Sequence, residues 1–334
     1  MTRTIDIHNH FYPDAYLRAV ARDSRAASVV TTAAGETRIV YGDDYSVVAP
    51  AHRDAAIRVA DLDAAGIDMQ IVSLPGPAVH LETPERGIAL ARLTNDAFAA
   101  AVRDYPTRLG ALATLPMQAP GAAARELERA VRELGLCGAM IFSNHGGVPL
   151  DDPRNFPVYQ AAEALGVPLL VHPATPANAA AANLADYRLV ALLAFPFDVT
   201  VAATRLILGG VLDRFPRLTF ILGLLGGALP LLGERVARGY GAYPELAGTL
   251  QRPIADYFRR FYYDTVPYGA VGIPLTVAFA GADRVVLGSD HPHTIGNLRD
   301  CTAVIDRLDI SVGDRALVRG GNLARLLGLG TVAP

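Results

Sequence analysis

Eight short apolar runs, each followed by a helix-like segment, are the feature that most constrains the fold of this 334-residue chain. The runs are Thr4–His8, Met69–Leu74, Leu109–Thr114, Gly138–Phe142, Pro168–His172, Thr219–Gly223, Phe261–Asp264 and Val285–Gly288. Strands that alternate with helices form parallel sheets, and eight such units can close into a barrel. The pattern therefore predicts an α/β fold, a (β/α)8 TIM barrel that forms one domain over residues 1–334.

Small insertions and C-terminal helices complete this predicted architecture. Asp23–Ala51 and Thr175–Leu184 interrupt the alternation and are interpreted as insertions, while helical patterns at Cys301–Leu308 and Asn322–Leu327 end the chain. A doubly wound open sheet is the alternative fold. It is disfavoured because no glycine-rich phosphate turn follows the first strand, where the letters HNHF stand instead.

Four candidate metal ligands stand at the ends of three of these runs. His8 and His10 are two residues apart, so their side chains point to the same side of an extended strand. His172 ends the fifth run and Asp290 follows the eighth. Barrel active sites form at the carboxyl ends of the strands, and imidazole and carboxylate are ordinary zinc ligands. The sequence therefore predicts one divalent metal ion at this rim.

Composition and charge exclude several functions. A net charge of −3 gives no electrostatic reason to expect nucleic acid or an anionic membrane as a partner. The most apolar stretch, Leu189–Phe197, contains Pro196 and precedes Asp198, which argues against a membrane span. No basic and apolar leader follows Met1, so a cytoplasmic location is predicted. The 30 basic residues are all arginine, which excludes a lysine Schiff base and a carboxylated lysine between two metals.

Motifs along nearly the whole chain resemble one family, the decarboxylase branch of the amidohydrolase superfamily (aminocarboxymuconate-semialdehyde and γ-resorcylate decarboxylases). The motifs are IDIHNHF from Ile5, RVADLDAAGID from Arg58, NFPVYQAAEAL from Asn155, LVHP from Leu170, GGVLDRFP from Gly209, GGALP from Gly226, GSDHP from Gly288 and GNLARLLGL from Gly321. The resemblance implies a metal-dependent (β/α)8 barrel that removes a carboxylate from a small unsaturated or aromatic carboxylic acid without an organic cofactor.

The resemblance also assigns roles to individual residues. His8, His10, His172 and Asp290 match the ligands of a single divalent ion, with zinc expected and manganese as the alternative. Asp290 would also be the proton donor.

Two arginines match functional positions of the family. Arg58 matches an arginine that holds a substrate carboxylate, a role suited to a planar, permanently charged guanidinium. Arg235 matches one that reaches a neighbouring site across a dimer interface, so a homodimer or homotetramer is expected. Without the resemblance, each would be read as an ordinary helix arginine.

One position departs from the family pattern. The sixth strand of the family ends in a histidine that acts in proton transfer, and Leu224 stands in that place, ahead of an intact Gly226-Gly227 turn. Leucine cannot carry a proton, so an altered mechanism, an engineered inactive variant and a changed chemistry all remain open. His145, His291 and His293 are candidates to replace the histidine, although each is individually more typical of loop structure. His52 and His80 have no supporting context and are interpreted as structural or exposed.

The function favoured by these observations is a metal-dependent carboxy-lyase that performs non-oxidative decarboxylation. The ion would act as Lewis acid and template for the substrate. A metal-dependent hydrolase or hydratase with the same ligands is the alternative. A repurposed barrel of reduced activity is the third possibility, because of Leu224.

Overall fold

Parallel strands form in seven of the eight predicted runs. The computed structural model describes residues 3–42, 44–179, 182–184, 186–266 and 269–329, so residues 1–2 and 330–334 of the predicted domain lie outside the described part. The strands, in barrel order, are Ile5–Asp6, Met69–Val72, Leu109–Ala111 continued by Ala113–Thr114, Ala139–Phe142, Leu169–His172, Phe220–Leu222 and Tyr262–Tyr263. Each is hydrogen-bonded in parallel to the next strand in this order.

The eighth run closes the barrel without forming a regular strand. Val285 bridges Tyr263 in parallel, and the amide of Val286 donates to the carbonyl of Tyr263 at 2.8 Å. On the other side, the amide of Ile7 donates to the carbonyl of Leu287 at 3.0 Å. The last segment is therefore bonded to both the seventh and the first strand, which confirms the predicted barrel and its α/β class.

Helices surround the barrel, as the pattern predicts. They are Asp14–Asp23, Ala55–Ala65, Pro84–Asp104, Pro120–Arg132, Phe156–Leu165, Phe195–Leu208, Val211–Arg214, Leu229–Ala242, Ile254–Phe258 and Gly272–Ala280, with Cys301–Asp306, Val312–Ala316 and Asn322–Leu326 near the C-terminus. Short 3-10 turns lie at Pro50–His52, Pro153–Asn155, Leu224–Gly226 and Ala282–Arg284, and π-helical turns at Val190–Ala194 and Leu317–Gly321. The predicted helix 199–214 is divided, because Gly210 has a left-handed backbone (φ 71°) that interrupts it.

The hydrophobic core is the barrel interior together with the layer between strands and helices. Leu169, Leu170 and Val171 on one strand, and Leu206 on the helix outside it, are fully buried. Burying a side chain of this size contributes roughly 1.5–3 kcal/mol, which explains why the strands read as continuous apolar runs. Strands covered on both faces are typical of parallel sheets.

The first insertion forms a three-stranded antiparallel sheet at the mouth of the barrel. Its strands are Ala27–Thr31, Thr37–Tyr41 and Asp44–Val47, and Asp43 lies outside the described residues. The second insertion runs through turns in its described part, with residues 180 and 181 outside it. Arg188, just beyond it, donates to Asp44 at 2.7 Å and joins the two insertions.

One outer helix is unusually apolar. The stretch Val190–Leu208 is long and apolar enough to cross a membrane by length and composition, with a mean hydropathy of 1.7 and 39% of its most apolar window buried. It follows the fifth strand, and its buried side chains, including Val199 and Leu206, belong to the barrel core. Its other face exposes Phe197 and Val201, each 55% accessible, so the fold accounts for one apolar face and leaves the other uncovered.

Candidate metal centre

The structure brings the four predicted metal ligands together at the carboxyl ends of their strands. The ring centroids of His8, His10 and His172 lie 4.9 to 5.2 Å apart. The Oδ1 atom of Asp290 lies 3.0 Å from Nε2 of His10 and 3.6 Å from Nε2 of His8. Three imidazoles and a carboxylate thus converge within the reach of one small cation.

Local backbone geometry explains how the eighth segment delivers its carboxylate. The amide of Asp290 donates to the carbonyl of His8 at 2.7 Å, which ties the end of the last strand to the end of the first. Asp290 has a left-handed backbone with φ 56°, a conformation that non-glycine residues adopt uncommonly and that clusters at functional sites. Asp6 reinforces this junction by accepting from the amides of His8 and Ser289 at 3.2 and 3.1 Å.

The donor set fits a divalent ion. The Nδ1 atoms of His8 and His172 contact Asp264 and the carbonyl of Pro173, respectively, which leaves both Nε2 atoms for the ion. Among the residues that the structure describes, Nε2 of His8 and Nδ1 of His10 are buried and have no hydrogen-bond partner. Burying such polar atoms unpaired is costly. Neutral histidines that use one nitrogen for a carboxylate or carbonyl and the other for metal are typical of zinc sites.

Burial and neighbouring charges set the ionisation of the ligands. Burial raises the pKa of Asp290 to about 7. Burial alone would lower the pKa of His8, but the Asp264 carboxylate outweighs it and raises that pKa to about 9. For His10 and His172, burial holds the pKa well below the usual value. Near neutral pH, a cation would therefore have to displace protons mainly from His8 and Asp290, whose pKa values are raised.

Asp264 is a functional residue that the sequence reasoning did not single out. It is fully buried, and its Oδ2 atom holds Nδ1 of His8. Its Oδ1 atom accepts from the amides of Leu225 and Val266 at 3.0 and 3.1 Å, so one carboxylate orients a ligand and the turn beside Leu224. Asp264 ends the seventh predicted strand, and a polar residue at a strand end is the same signal that identified the predicted metal ligands.

Arg58 lies behind the ligands rather than in front of them. The side chain is fully buried, and its guanidinium donates to the carbonyls of His10 and Ala51, to Gln70 at 2.7 Å and to Asn9 at 3.1 Å. Burial lowers its pKa to about 9. This geometry differs from the predicted substrate-carboxylate contact, because the donors are turned to internal partners that position the backbone of His10.

Arg235 and Leu224 lie in different surroundings. Arg235 is exposed on the helix Leu229–Ala242, in a shallow apolar groove with Leu232 and Tyr243, away from the metal ligands of its own chain. Leu224 is half-buried in the wall of the cavity that reaches His8 and Asp290. The leucine therefore lies in the same cavity as the predicted metal ligands His8 and Asp290.

A cavity of about 1080 Å³ opens onto the metal ligands. His8, His172 and Asp290 form its polar floor, and the rest of its wall is largely apolar and aromatic. That wall includes Phe142, Phe195, Leu224, Val266 and Ile295, with Tyr41 and Tyr45 from the inserted sheet. The inserted sheet and Arg188 add charged side chains to the lining, among them Arg38. A mainly apolar and aromatic pocket with several polar groups suits a small aromatic acid.

The remaining histidines are divided between the cavity and its surroundings. His145 is held by Asn155 at 2.8 Å and His291 contacts Asp61 at 3.2 Å, and neither lines the cavity. His293 does line it, as does His80. His52 was interpreted as structural or exposed, and the structure shows that its side chain is fully buried. Its Nε2 atom lies 3.2 Å from Nδ1 of His293, a contact that the sequence did not predict.

Comparison with known protein sequences gives a consistent family. The amidohydrolase family model matches residues 5–329. A 2-amino-3-carboxymuconate-6-semialdehyde decarboxylase of Dictyostelium discoideum is 30% identical over 83% of this chain and 77% of that protein. A γ-resorcylate decarboxylase of Polaromonas is 34% identical over 81% and 86%. A 2-keto-4-carboxy-3-hexenedioate hydratase of Sphingobium is 29% identical over 78% of each chain.

Solved structures give the same result. The crystal structure of 5-carboxyvanillate decarboxylase from Sphingomonas paucimobilis has a TM-score of 0.85 and 30% identity, covering 99% of this chain and 100% of that one. A dihydroxybenzoic acid decarboxylase of Polaromonas, solved with manganese and the inhibitor 2-nitroresorcinol, has a TM-score of 0.81 and 28% identity, covering 98% of both chains. This chain belongs to the amidohydrolase family, in the branch that contains these decarboxylases.

Proposed function

We propose that this protein is a metal-dependent carboxy-lyase that removes a carboxylate from an aromatic acid without oxidation. The observation that carries the proposal is the cluster of His8, His10, His172 and Asp290 at the floor of an aromatic-walled cavity. The named decarboxylases in the same branch support the reaction class. Zinc is the proposed ion, with manganese, present in one solved relative, as the alternative.

The chain's own residues would perform the remaining steps. A bound divalent ion supplies Lewis-acid polarisation and a template for the substrate oxygens. The cavity walls hold the ring so that the bond between ring carbon and carboxylate can break, and carbon dioxide leaves while its electron pair stays on the ring. Asp290, alternating between holding the ion and carrying a proton, would give a proton to that carbon. Asp264 and Arg58 keep His8 and His10 in position.

A hydratase is the second candidate. The 29% identity to a hydratase in the same comparison favours it. Leu224 does not separate the two reactions, because a leucine can transfer a proton in neither. In this alternative, Asp290 would take a proton from water instead of giving one to carbon. The two reactions differ in their products, because only decarboxylation releases carbon dioxide.

The exposed side chains and the net charge support proposals about the partners of this protein. The exposed apolar face that includes Phe197, Val201 and Leu231, next to Arg235, supports a homodimer or homotetramer. The net charge of −3 supports a small-molecule partner rather than nucleic acid. A single domain, a cytoplasmic location and no membrane association complete the proposal.

The experiment that tests the reaction combines metal analysis with product analysis. Protein reloaded with zinc or manganese is incubated with 2,6-dihydroxybenzoate and 5-carboxyvanillate, and carbon dioxide release is measured. We expect one ion per chain and metal-dependent release. His172→Ala should lose the ion and the activity while keeping its circular dichroism spectrum. Release that persists in metal-free protein, or a hydrated product without carbon dioxide, would contradict the proposal.

A further inference from the structure

The hydrogen bonds of His52 define which of its nitrogens carries the proton. The backbone amide of Ala49 donates to Nδ1 of His52 at 3.0 Å, and a peptide N–H can only donate. Nδ1 of His52 is therefore an acceptor, and the hydrogen of this neutral imidazole lies on Nε2. Nε2 is 3.2 Å from Nδ1 of His293, so His52 donates to His293.

The same reasoning continues through His293. Its Nδ1 atom accepts from His52, so the hydrogen of the neutral His293 ring lies on Nε2. Within the described part of the chain, that Nε2 atom has no hydrogen-bond partner, and it is not among the polar atoms sealed from solvent. The ring lines the cavity, 4.4 Å from the ring of His10, with a ligand atom in one group with those of His10 and Asp290.

We propose that His293 is a substrate-binding residue whose Nε2–H donates to an anionic oxygen of the acid, with His52 as the positioning residue that fixes this tautomer. A protonated Nε2 has no lone pair for a metal, so the pair of imidazoles adds a donor beside the ion rather than another ligand. The cation and the Nε2–H of His293 would then both attract an anionic oxygen of the substrate. This inference rests on the proposed function for the nature of the substrate.

The cavity wall also carries the guanidinium groups of Arg38 and Arg188, but these pair with Glu36 and Asp44. The assignment adds a donor directly beside the predicted metal ligands, where His293 contacts the ring of His10. The guanidinium of Arg58 is occupied by internal partners, and Leu224 offers no polar atom. His293 reaches the same cavity as His8 and Asp290. A hydrogen bond to an anionic oxygen from this side would fix the orientation of the ring relative to the ion.

Two nearly isosteric variants of His52 test the direction of the hydrogen-bond chain. In His52→Gln, the amide oxygen can accept from Ala49 and the amide nitrogen can donate to His293, which preserves the tautomer. In His52→Glu, both oxygens accept, so His293 donates from Nδ1 and, in its neutral form, presents a lone pair at Nε2. A His293 that instead becomes cationic shows hydrogens on both nitrogens in the same spectrum, which identifies that case. The side-chain ¹⁵N and ¹H resonances of the histidines in zinc-loaded protein report the tautomer directly, and His293→Phe assigns the signal.

The binding experiment uses 2-nitroresorcinol as the probe. We expect His293→Phe and His52→Glu to weaken its binding about 10- to 100-fold, the range for a hydrogen bond to a charged oxygen. His52→Gln should restore affinity to within about threefold of the original protein. The zinc content should stay at one per chain in all variants. In the unsubstituted protein, the probe should shift the Nε2–H resonance of His293.

The outcomes separate this inference from the proposed reaction. An Nδ1–H tautomer of His293 in the unsubstituted protein, absence of probe binding, or unchanged affinity in His293→Phe would overturn the inference even if decarboxylation were observed. Histidine-dependent probe binding in a protein that releases no carbon dioxide from any acid tested would support the inference and refute the reaction. Equal loss of affinity in His52→Gln and His52→Glu would refute the role of His52.

Discussion

Replacing Leu224 with histidine tests whether this site has lost a proton-transfer group. The backbone at Leu224 is left-handed, with φ 53°, and such a conformation costs an ordinary L-residue about 1–2 kcal/mol. Histidine is several-fold enriched there among non-glycine residues, so Leu224→His fits the existing backbone at least as well as leucine. The side chain lines the same cavity as His8 and Asp290, which places an imidazole beside the metal centre.

The expected gain follows from the role of a positioned acid–base group. Such groups contribute about 10²- to 10⁴-fold in rate, which corresponds to roughly 3–5.5 kcal/mol of barrier. The effect on stability should be small, within about 1 kcal/mol, because Leu224 is only half-buried and its lost apolar contact is offset by the more tolerant backbone. We therefore expect faster release of carbon dioxide with a nearly unchanged Tm.

Carbon dioxide release from 2,6-dihydroxybenzoate and 5-carboxyvanillate by metal-loaded protein is the assay. Leu224→Ala controls for an enlarged pocket, and Leu224→Asn controls for a polar residue that tolerates the left-handed backbone but cannot transfer a proton. A gain in Leu224→His alone would show a decarboxylase that lacks one group. Equal low activity in all of these proteins would refute the reasoning and favour a different reaction.

Three further predictions concern the metal and the surface. Asp264→Asn should lower zinc affinity about 10- to 100-fold, as measured by competition with a chromophoric chelator, because the carboxylate that orients His8 is lost. Zinc affinity should rise about tenfold per pH unit between pH 7 and 9, because the ion displaces one proton from His8, whose pKa is about 9. Below about pH 7 the rise should be steeper, because the ion also displaces a proton from Asp290, whose pKa is about 7. A zinc affinity that does not change with pH would contradict this prediction. Light scattering should show a dimer or larger, and Leu231→Glu, on a side chain 71% exposed near Arg235, should give monomers; a monomeric unsubstituted protein would exclude the intersubunit role.

The barrel and the positions of the predicted metal ligands could be predicted because both depend on local sequence. Each of the eight runs is apolar where a strand is covered on both faces, and the carboxyl end of a barrel strand is where polar residues converge. His8, His172 and Asp290 follow from that rule alone. Asp264 obeys the same rule and could have been found by applying it to the seventh run.

Other features depend on contacts between distant segments. Arg58 is an ordinary helix arginine in the sequence, and only folding shows that its guanidinium is enclosed by Asn9, just after the first strand, and by Gln70 in the second. His52 and His293 are 241 residues apart, so no local pattern connects them. The inserted sheet was predicted only as an insertion, because the antiparallel pairing of Thr37–Tyr41 with Asp44–Val47 lies outside the barrel repeat.

The inserted sheet at the barrel mouth lines the cavity but carries none of the four predicted metal ligands. The predicted metal ligands lie at the carboxyl ends of the barrel strands. Tyr41 and Tyr45 instead belong to the inserted sheet, which Arg188 holds through a hydrogen bond to Asp44. Substitutions in the inserted sheet can therefore change the upper wall of the cavity without moving the predicted metal ligands. Evolution or protein engineering could therefore change the substrate by substitutions in the inserted sheet while the predicted metal ligands stay the same.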